Sequence, residues 1–101
     1  PAYVFYFLEA MTEAGVQMGL SQDQAYHLAK ATFGGATHLA RQSTDSPEVL
    51  RQRVTSKGGT TEPAIHVLEK ANIHDIVFQA LKAADQRAGE LAAMIAKEME
   101  S

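Results

Sequence analysis

Apolar residues recur along this chain at helical spacing, and no segment alternates apolar and polar positions as a β-strand does. From Ala2 to about Met18 the apolar groups lie nearly all round the predicted helix, a pattern typical of a helix that other structure surrounds. A second helix is predicted from about Ser21 to Gln42. Its inward-facing residues are predicted to be Ala25, Leu28, Ala29, Thr32, Ala36, Leu39 and Ala40.

Short polar segments mark where the helices begin and end. Gly19 is suited to end the first helix, and Ser21 with Gln24 matches the capping box that begins the second. Ser46 and Pro47 supply an N-cap and a first-turn proline for a short third helix. The remaining predicted boundaries are an end of the third helix near Thr55, a fourth helix from between Thr61 and Pro63, and an interruption at Asn72.

Two adjacent glycines, Gly34 and Gly35, fall in the middle of the second predicted helix. Each costs about 1 kcal/mol relative to alanine at such a position. We therefore expect another backbone to approach closely there, in a tight helix crossing rather than a ligand site.

The last helix carries the longest apolar stripe in the sequence. At 1.5 Å per residue it spans roughly 40 Å, which exceeds the diameter of a domain of this size. It is therefore predicted to reach into a second subunit, and the fold is predicted to be all-α, with about five helices in an intertwined homodimeric bundle. The stripe consists of Ile73, Ile76, Val77, Ala80, Leu81, Ala84, Ala88, Leu91, Ala92, Ile95 and Met99.

Length and composition restrict the classes of partner. The 101 residues suit a single domain, residues 1–101, and a net charge of −3 without a basic stripe makes nucleic acid an unsuitable partner. The chain has no cysteine, which excludes disulfides and thiolate zinc sites and favours a cytoplasmic location. The apolar run Pro1 to Leu8 is far shorter than the roughly 20 residues that cross a bilayer, so no membrane span is predicted.

Isolated titratable residues give little indication of chemistry. The four histidines have no metal-ligand spacing, so no metal site is predicted. Glu9 and Glu13 form an i, i+4 pair that either lines a cavity or marks the solvated edge of the first helix, and neither receives a role. The histidines are His27, His38, His66 and His74.

Hydroxyls and glycines are concentrated in one segment, between the third and fourth predicted helices. Gly58 and Gly59 allow a sharp turn and a close approach to a ligand, while Ser56, Thr60 and Thr61 add hydroxyl groups. Because the segment leads into a helix N-terminus, it favours a small carboxylate or phosphate. The alternative is a simple connecting turn in which Thr60 or Thr61 is only an N-cap, and the spacing alone does not decide between the two.

The same segment resembles the signature V-T-S-P-G-G-T-T of the pyrroline-5-carboxylate reductase family. The resemblance covers essentially the whole chain. Lys57 departs from the usual proline of the signature, and Asn72 replaces a common glycine. Because the chain opens on Pro1 without an initiator methionine, we expect it to be a piece of a longer protein. The matching segments are Val54-Thr55-Ser56-Lys57-Gly58-Gly59-Thr60-Thr61, Pro1 to Phe5, Ala14 to Val16 with Gly19-Leu20, and Pro47 with Leu50-Arg51.

The resemblance implies an enzyme that reduces 1-pyrroline-5-carboxylate to L-proline, the last step of proline biosynthesis. An N-terminal dinucleotide-binding domain, expected to be absent from this chain, would bind NADPH or NADH. The helical domain would form a homodimer, with a higher oligomer left open, and the isolated chain would be inactive. By motif position, Ser56, Gly58, Gly59 and Thr60 would hold the substrate carboxylate, and Thr61 would be catalytic, its hydroxyl contacting the ring nitrogen. The competing hypothesis is a non-catalytic helical dimerisation module.

Overall fold

The computed structural model describes residues 1–100, which form five α-helices and contain no strand. The all-α prediction is therefore confirmed. The chain divides into two compact units, Pro1–Arg53 with the first three helices, and a second unit from Val54 onward with the last two. The helices are α1 (Ala2–Gln17), α2 (Gln22–Arg41), α3 (Pro47–Arg53), α4 (Thr61–Lys70) and α5 (Ile73–Glu100).

Helix α1 ends in a Schellman motif built on Gly19. Gly19 has a φ of +108°, a left-handed conformation that glycine adopts without steric cost. Its N–H donates to the Val16 carbonyl at 3.0 Å, and the Leu20 N–H donates to the Gly15 carbonyl at 3.0 Å. Two carbonyls that the helix end would leave without partners are thus satisfied, and the predicted stop at Gly19 is confirmed.

A capping box begins α2. The Ser21 hydroxyl accepts a hydrogen bond from the Gln24 N–H at 3.2 Å, and the Gln24 side-chain oxygen accepts one from the Ser21 N–H at 3.1 Å. The reciprocal pair satisfies two backbone donors at the start of the helix. The predicted capping box is confirmed, and α2 begins directly after it, at Gln22.

Helices α1 and α2 come into close contact at Gly15. A Cβ built on Gly15 would lie 2.8 Å from the Ala25 Cβ and 3.5 Å from the Ala25 Cα, so the missing side chain is what allows the two helices to approach. The hydrophobic residues buried within residues 1–100 are Leu8, Ala25 and Ala29, and all three belong to these two helices. The small core of the first unit therefore lies at this crossing.

The middle of α2 does not have the close neighbour that its glycines predict. Within residues 1–100, a Cβ built on Gly34 or Gly35 would meet nothing within 4 Å. Leu28 and Leu39 of the predicted inward face are 53% and 55% exposed. Within one copy the close crossing lies near the start of α2, and inclined helices separate away from their point of contact. A close approach to Gly34 and Gly35 by another copy stays a prediction.

Much of the surface of α1 is not covered by the other helices of the first unit. Helix α2 packs against it, yet only Leu8 of α1 is buried, whereas Phe5 is 62% and Tyr6 is 72% exposed. The prediction that this helix is surrounded is therefore not met within one copy of residues 1–100.

The polar segment between α2 and α3 is organised by Asp45. The Ser43 hydroxyl donates to the Asp45 carboxylate at 3.2 Å and accepts the Asp45 N–H at 3.0 Å, and the same carboxylate pairs with Arg53 at the end of α3. The Ser46 hydroxyl accepts the Val49 N–H at 3.2 Å, which confirms Ser46 as the cap of the third helix.

In the second unit, Asn72 joins α4 to α5 with a left-handed backbone, φ 58°. Its N–H donates to the Glu69 carbonyl at 2.9 Å, while its carbonyl accepts the N–H groups of Asp75 and Ile76 at 3.1 and 3.2 Å. The residue therefore ends one helix and begins the next. Asparagine tolerates this conformation better than other non-glycine residues, as expected for its place in the sequence.

Helix α5 has 28 residues and, at 1.5 Å per residue, is about 42 Å long. No residue of α5 is buried, and Ile76, Leu81 and Ile95 of its apolar stripe are each about half exposed. The predicted length is confirmed, while the reach into a second subunit stays a prediction. None of the helices within residues 1–100 combines the length and hydropathy needed to cross a membrane.

Candidate functional site

The glycine- and hydroxyl-rich loop contains a β-turn from Ser56 to Gly59. The Gly59 N–H donates to the Ser56 carbonyl at 3.0 Å, and Gly58, the third residue of the turn, has a φ of +77°. A positive φ at the third residue but not at the second, Lys57, identifies a type II turn, which favours glycine at the third position and proline at the second. Lys57 therefore occupies the position of the turn that best suits proline.

Gly59 is required for a different reason, which is crowding. A Cβ built on Gly59 would lie 3.2 Å from both the Cβ and the carbonyl oxygen of Ser56. That separation is tighter than ordinary van der Waals contact, and the carbonyl belongs to the turn itself. The two glycines thus meet two separate demands: Gly58 supplies the left-handed conformation and Gly59 the space.

Thr60 and Thr61 stand where the loop becomes helix α4. Thr60 is the N-cap residue, with φ −81° and ψ −27°, but its side chain makes no capping hydrogen bond. Thr61 is the first helical residue, and both threonines are exposed. The interpretation of these threonines as simple caps therefore has no hydrogen bond to support it, and within residues 1–100 both hydroxyls lack a protein partner.

The loop offers several donors at one place. Among the residues that the structure describes, the amides of Gly58, Thr60 and Thr61 make no hydrogen bond to the protein, whereas the Gly59 amide closes the turn. The loop is open to solvent: Gly58 and Thr60 are exposed, and Gly59 is half-buried. Amides and hydroxyls ahead of a helix N-terminus suit an anion with several acceptor oxygens, such as a small carboxylate.

Two charged residues flank these donors. Glu62 lies in the first turn of α4, and Lys57 lies in the β-turn. The glutamate complements the positive end of the helix dipole and so reduces the attraction of α4 for another anion. The lysine adds a positive charge to the same short segment.

A second concave surface lies between α1 and α2, within the first unit. This groove, of about 550 Å³, is lined by both apolar and polar side chains. Glu9 and Glu13 both line it, so the two glutamates lie at a cavity, although no chemistry follows from that placement. Its α2 residues, Gln22, Asp23 and Tyr26, belong to no motif that indicates a binding site in the sequence. The lining residues are Phe5, Leu8, Glu9, Thr12, Glu13, Gln22, Asp23 and Tyr26.

Metal-binding groups are dispersed. In the part of the chain that the structure describes, no three histidine, aspartate or glutamate side chains come together as a metal site would require. The loop from Ser56 to Thr61 therefore remains the strongest candidate functional site, and its donor set is suited to recognising an anion.

The chain is similar to several known proteins over most of its length. It is 47% identical over 92 residues to the pyrroline-5-carboxylate reductase of Pseudomonas aeruginosa, covering 91% of this chain and 34% of that protein. The structure of a pyrroline-5-carboxylate reductase from Coxiella burnetii matches with a TM-score of 0.86 and 47% identity, covering 90% of this chain and 34% of that one. A Plasmodium falciparum pyrroline carboxylate reductase with NADP bound matches with a TM-score of 0.81 and 33% identity, covering 83% of this chain and 34% of that one.

The chain thus spans about a third of the length of these relatives. Residues 1–91 match the family described as pyrroline-5-carboxylate reductase dimerisation. The match includes both α1 and the loop, and it continues well into α5. On this match, which covers nine-tenths of the sequence, the chain belongs to the pyrroline-5-carboxylate reductase dimerisation family.

Proposed function

We propose that this chain is the helical, subunit-pairing part of a pyrroline-5-carboxylate reductase and that its Ser56–Thr61 loop holds the substrate. The observation that carries the proposal is the group of unsatisfied donors at the loop, namely the amides of Gly58, Thr60 and Thr61 with three hydroxyls beside them. The names of the relatives support the assignment of the reaction. A cytoplasmic location is part of the proposal and suits a chain without cysteine.

The reaction adds a hydride to the imine carbon of 1-pyrroline-5-carboxylate and a proton to its nitrogen, giving L-proline. Neither step requires a nucleophile from the protein, so catalysis depends largely on holding the ring in a fixed orientation. In this proposal, Ser56, Gly58, Gly59 and Thr60 hold the substrate carboxylate, and the Gly59 N–H also keeps the turn closed. The Thr61 hydroxyl contacts the ring nitrogen and relays its proton.

The cofactor, NADPH or NADH, belongs to the same proposal. When bound, the reduced nicotinamide supplies the hydride. Residues 1–100 do not fit a dinucleotide site, because they form no strand that could lead into a glycine-rich turn and helix. A dinucleotide-binding domain outside this chain would therefore hold most of the cofactor, and this chain would present the substrate to it.

A homodimer is the proposed assembly. The apolar surface of α1 and the apolar stripe of α5 are both extensively exposed in one chain, with Tyr6 72% and Ile95 59% exposed. Exposed apolar surface of this extent on a helix is typical of subunit interfaces. The family description, which names dimerisation, supports the same assembly.

The second candidate function is a dimerisation module without a ligand. The exposed apolar helices favour it as much as they favour the enzyme, because they concern pairing alone. The two functions differ at the loop. If the loop is only a connection, removing its hydroxyls has no effect on catalysis by a protein that contains it.

A chimera tests the enzyme directly. In the Pseudomonas aeruginosa relative, the matching segment is replaced by this chain, and reductase activity is measured with either nicotinamide cofactor. We expect an active chimera, with Thr61→Ala lowering kcat about 100-fold because a positioned proton donor is lost, and Thr61→Ser retaining most activity. Thr37→Ala is the matched control, since the Thr37 hydroxyl donates to the Phe33 carbonyl within α2.

Unchanged turnover in the Thr61→Ala chimera would contradict the proposed role of the loop and favour the module. The assembly is tested separately on the isolated chain by sedimentation equilibrium. A monomer at micromolar concentration would contradict the homodimer.

A further inference from the structure

We propose that Lys57 is an electrostatic capture residue, which draws the carboxylate of the substrate to the loop by adding a positive charge at its rim. This inference rests on the proposed function and deepens it. It concerns a residue at which this chain departs from the family signature, so the role belongs to this chain rather than to the signature.

The turn geometry shows how lysine is accommodated. In a type II turn the second position requires a φ near −60°, which proline has in advance and any other L-residue can adopt without strain. The chain keeps the turn, since the Gly59 N–H still reaches the Ser56 carbonyl at 3.0 Å and Gly58 still has a positive φ. Lys57 therefore changes the charge and rigidity of the turn but not its shape.

The ammonium group of Lys57 is available to a ligand. Lys57 is exposed, and within residues 1–100 its side chain has neither an ion-pair nor a hydrogen-bond partner. Arg53, four residues earlier in the sequence, differs in this respect, because its guanidinium is paired with Asp45. An unpaired cation on a flexible stem can follow an incoming anion at little structural cost.

The charges of the loop segment show what Lys57 contributes to anion binding. From Val54 to Pro63 the charged residues are Lys57 and Glu62, so the segment is neutral, and it would carry a net charge of −1 without the lysine. Glu62 already occupies the first turn of α4, where it competes for the positive end of the dipole. Lys57 offsets this carboxylate and restores the attraction of the loop for anions.

The expected size of the effect follows from Coulomb's law. Two unit charges about 8 Å apart change a binding constant about two- to fivefold when the effective dielectric constant lies between about 80 and about 45, and salt at about 0.5 M screens most of this. Lys57→Met in the chimera should therefore raise the KM for 1-pyrroline-5-carboxylate about two- to fivefold at low salt, with kcat nearly unchanged. The difference should shrink to less than about 1.5-fold at high salt.

Matched variants separate charge from other effects. Lys57→Arg keeps the charge and should keep the KM, whereas Lys57→Pro removes the charge and should raise the KM as Lys57→Met does. Lys70→Met removes one charge at the far end of α4, about 14 Å along the helix axis, and should leave the KM unchanged. An equal rise in Lys70→Met, or in Lys57→Arg, would overturn the proposal.

The anion could also be a phosphate of the cofactor. The KM for the nicotinamide cofactor is therefore measured in the same variants, and a change confined to the cofactor would overturn the assignment to the substrate carboxylate. An unchanged substrate KM in Lys57→Met at low salt would overturn it as well.

A chimera without activity would contradict the proposed function. The role of Lys57 is then tested by a second measurement. The isolated chain is titrated with L-proline at low salt while the amide signals of Gly58, Thr60 and Thr61 are followed by NMR. Weaker binding in Lys57→Met than in the unmodified chain supports the role of the lysine. Equal binding, or no shift of these amides in either protein, overturns it.

Discussion

Replacing Gly15 by alanine should destabilise this protein, although alanine is the better helix former. The Cβ of the new residue would lie 2.8 Å from the Ala25 Cβ and 3.5 Å from the Ala25 Cα. Ala25 is only 3% exposed and has no rotatable side chain, so no rotamer change can relieve the contact. Helices α1 and α2 would have to separate by about 0.8 Å to restore an ordinary carbon–carbon distance.

Two opposing contributions determine how much Gly15→Ala changes the free energy of unfolding. Alanine in place of glycine within a helix contributes about 0.5–1 kcal/mol of stability. Overpacking at a tight contact costs about 1–3 kcal/mol. The buried residues Leu8, Ala25 and Ala29 all lie in the two helices that must separate. We therefore expect the overpacking penalty to exceed the gain in helix propensity, so that the free energy of unfolding falls by about 1–2 kcal/mol.

Urea unfolding followed by far-ultraviolet circular dichroism, at one fixed protein concentration, measures the effect. Thermal unfolding should show the same change as a fall in Tm of about 4–16 °C. Gly89→Ala is the matched control, because a Cβ built on Gly89 meets nothing within 4 Å, and that variant should be slightly more stable than the parent. A Gly15→Ala protein as stable as Gly89→Ala would refute the close crossing of α1 and α2.

Other contacts give smaller predicted changes in the same unfolding assay. Ser21→Ala removes the hydroxyl of the capping box and should cost about 0.5–2 kcal/mol, and an unchanged midpoint would show that the box contributes nothing. Asn72→Gly should be tolerated, whereas Asn72→Val, with a branched side chain at φ 58°, should cost at least about 1 kcal/mol; equal stabilities would contradict this. Asp45→Asn breaks an ion pair in which the Arg53 and Asp45 side chains are 62% and 37% exposed. It should therefore lower the free energy of unfolding by no more than about 1 kcal/mol, and by less in high salt, and a larger loss would contradict the exposed character of this pair.

The helix boundaries could be predicted because their causes are local. The capping box of α2 and the stop at Gly19 each depend on residues within a few positions of one another. The same is true of Asn72, whose left-handed backbone satisfies groups three and four residues away. Short-range hydrogen bonds of this kind can be predicted from the local sequence alone.

The packing between helices could not be predicted in the same way. Sequence reasoning placed a close crossing at Gly34 and Gly35, but the close contact within residues 1–100 is between Gly15 and Ala25. A glycine permits close approach wherever it stands, and which glycine is used depends on the angle and offset of two helices, which no local pattern encodes.

At the candidate site the sequence predicted the segment but not its geometry. The motif identified the segment from Ser56 to Thr61. The structure adds the type II turn, the crowding at Gly59 and the lack of a capping hydrogen bond from the Thr60 side chain. Substrate contacts of these residues, the single-domain organisation and the cytoplasmic location stay predictions.

The small number of buried hydrophobic residues has a consequence for how this protein is produced. Leu8, Ala25 and Ala29 alone supply little of the hydrophobic free energy that a fold of about 100 residues requires. If two copies complete the core in the proposed homodimer, each tenfold dilution lowers the free energy of unfolding by about 1.4 kcal/mol per dimer. The rate of synthesis would then determine how much folded protein accumulates. At a low rate of synthesis, proteases would degrade the chain before it formed a dimer.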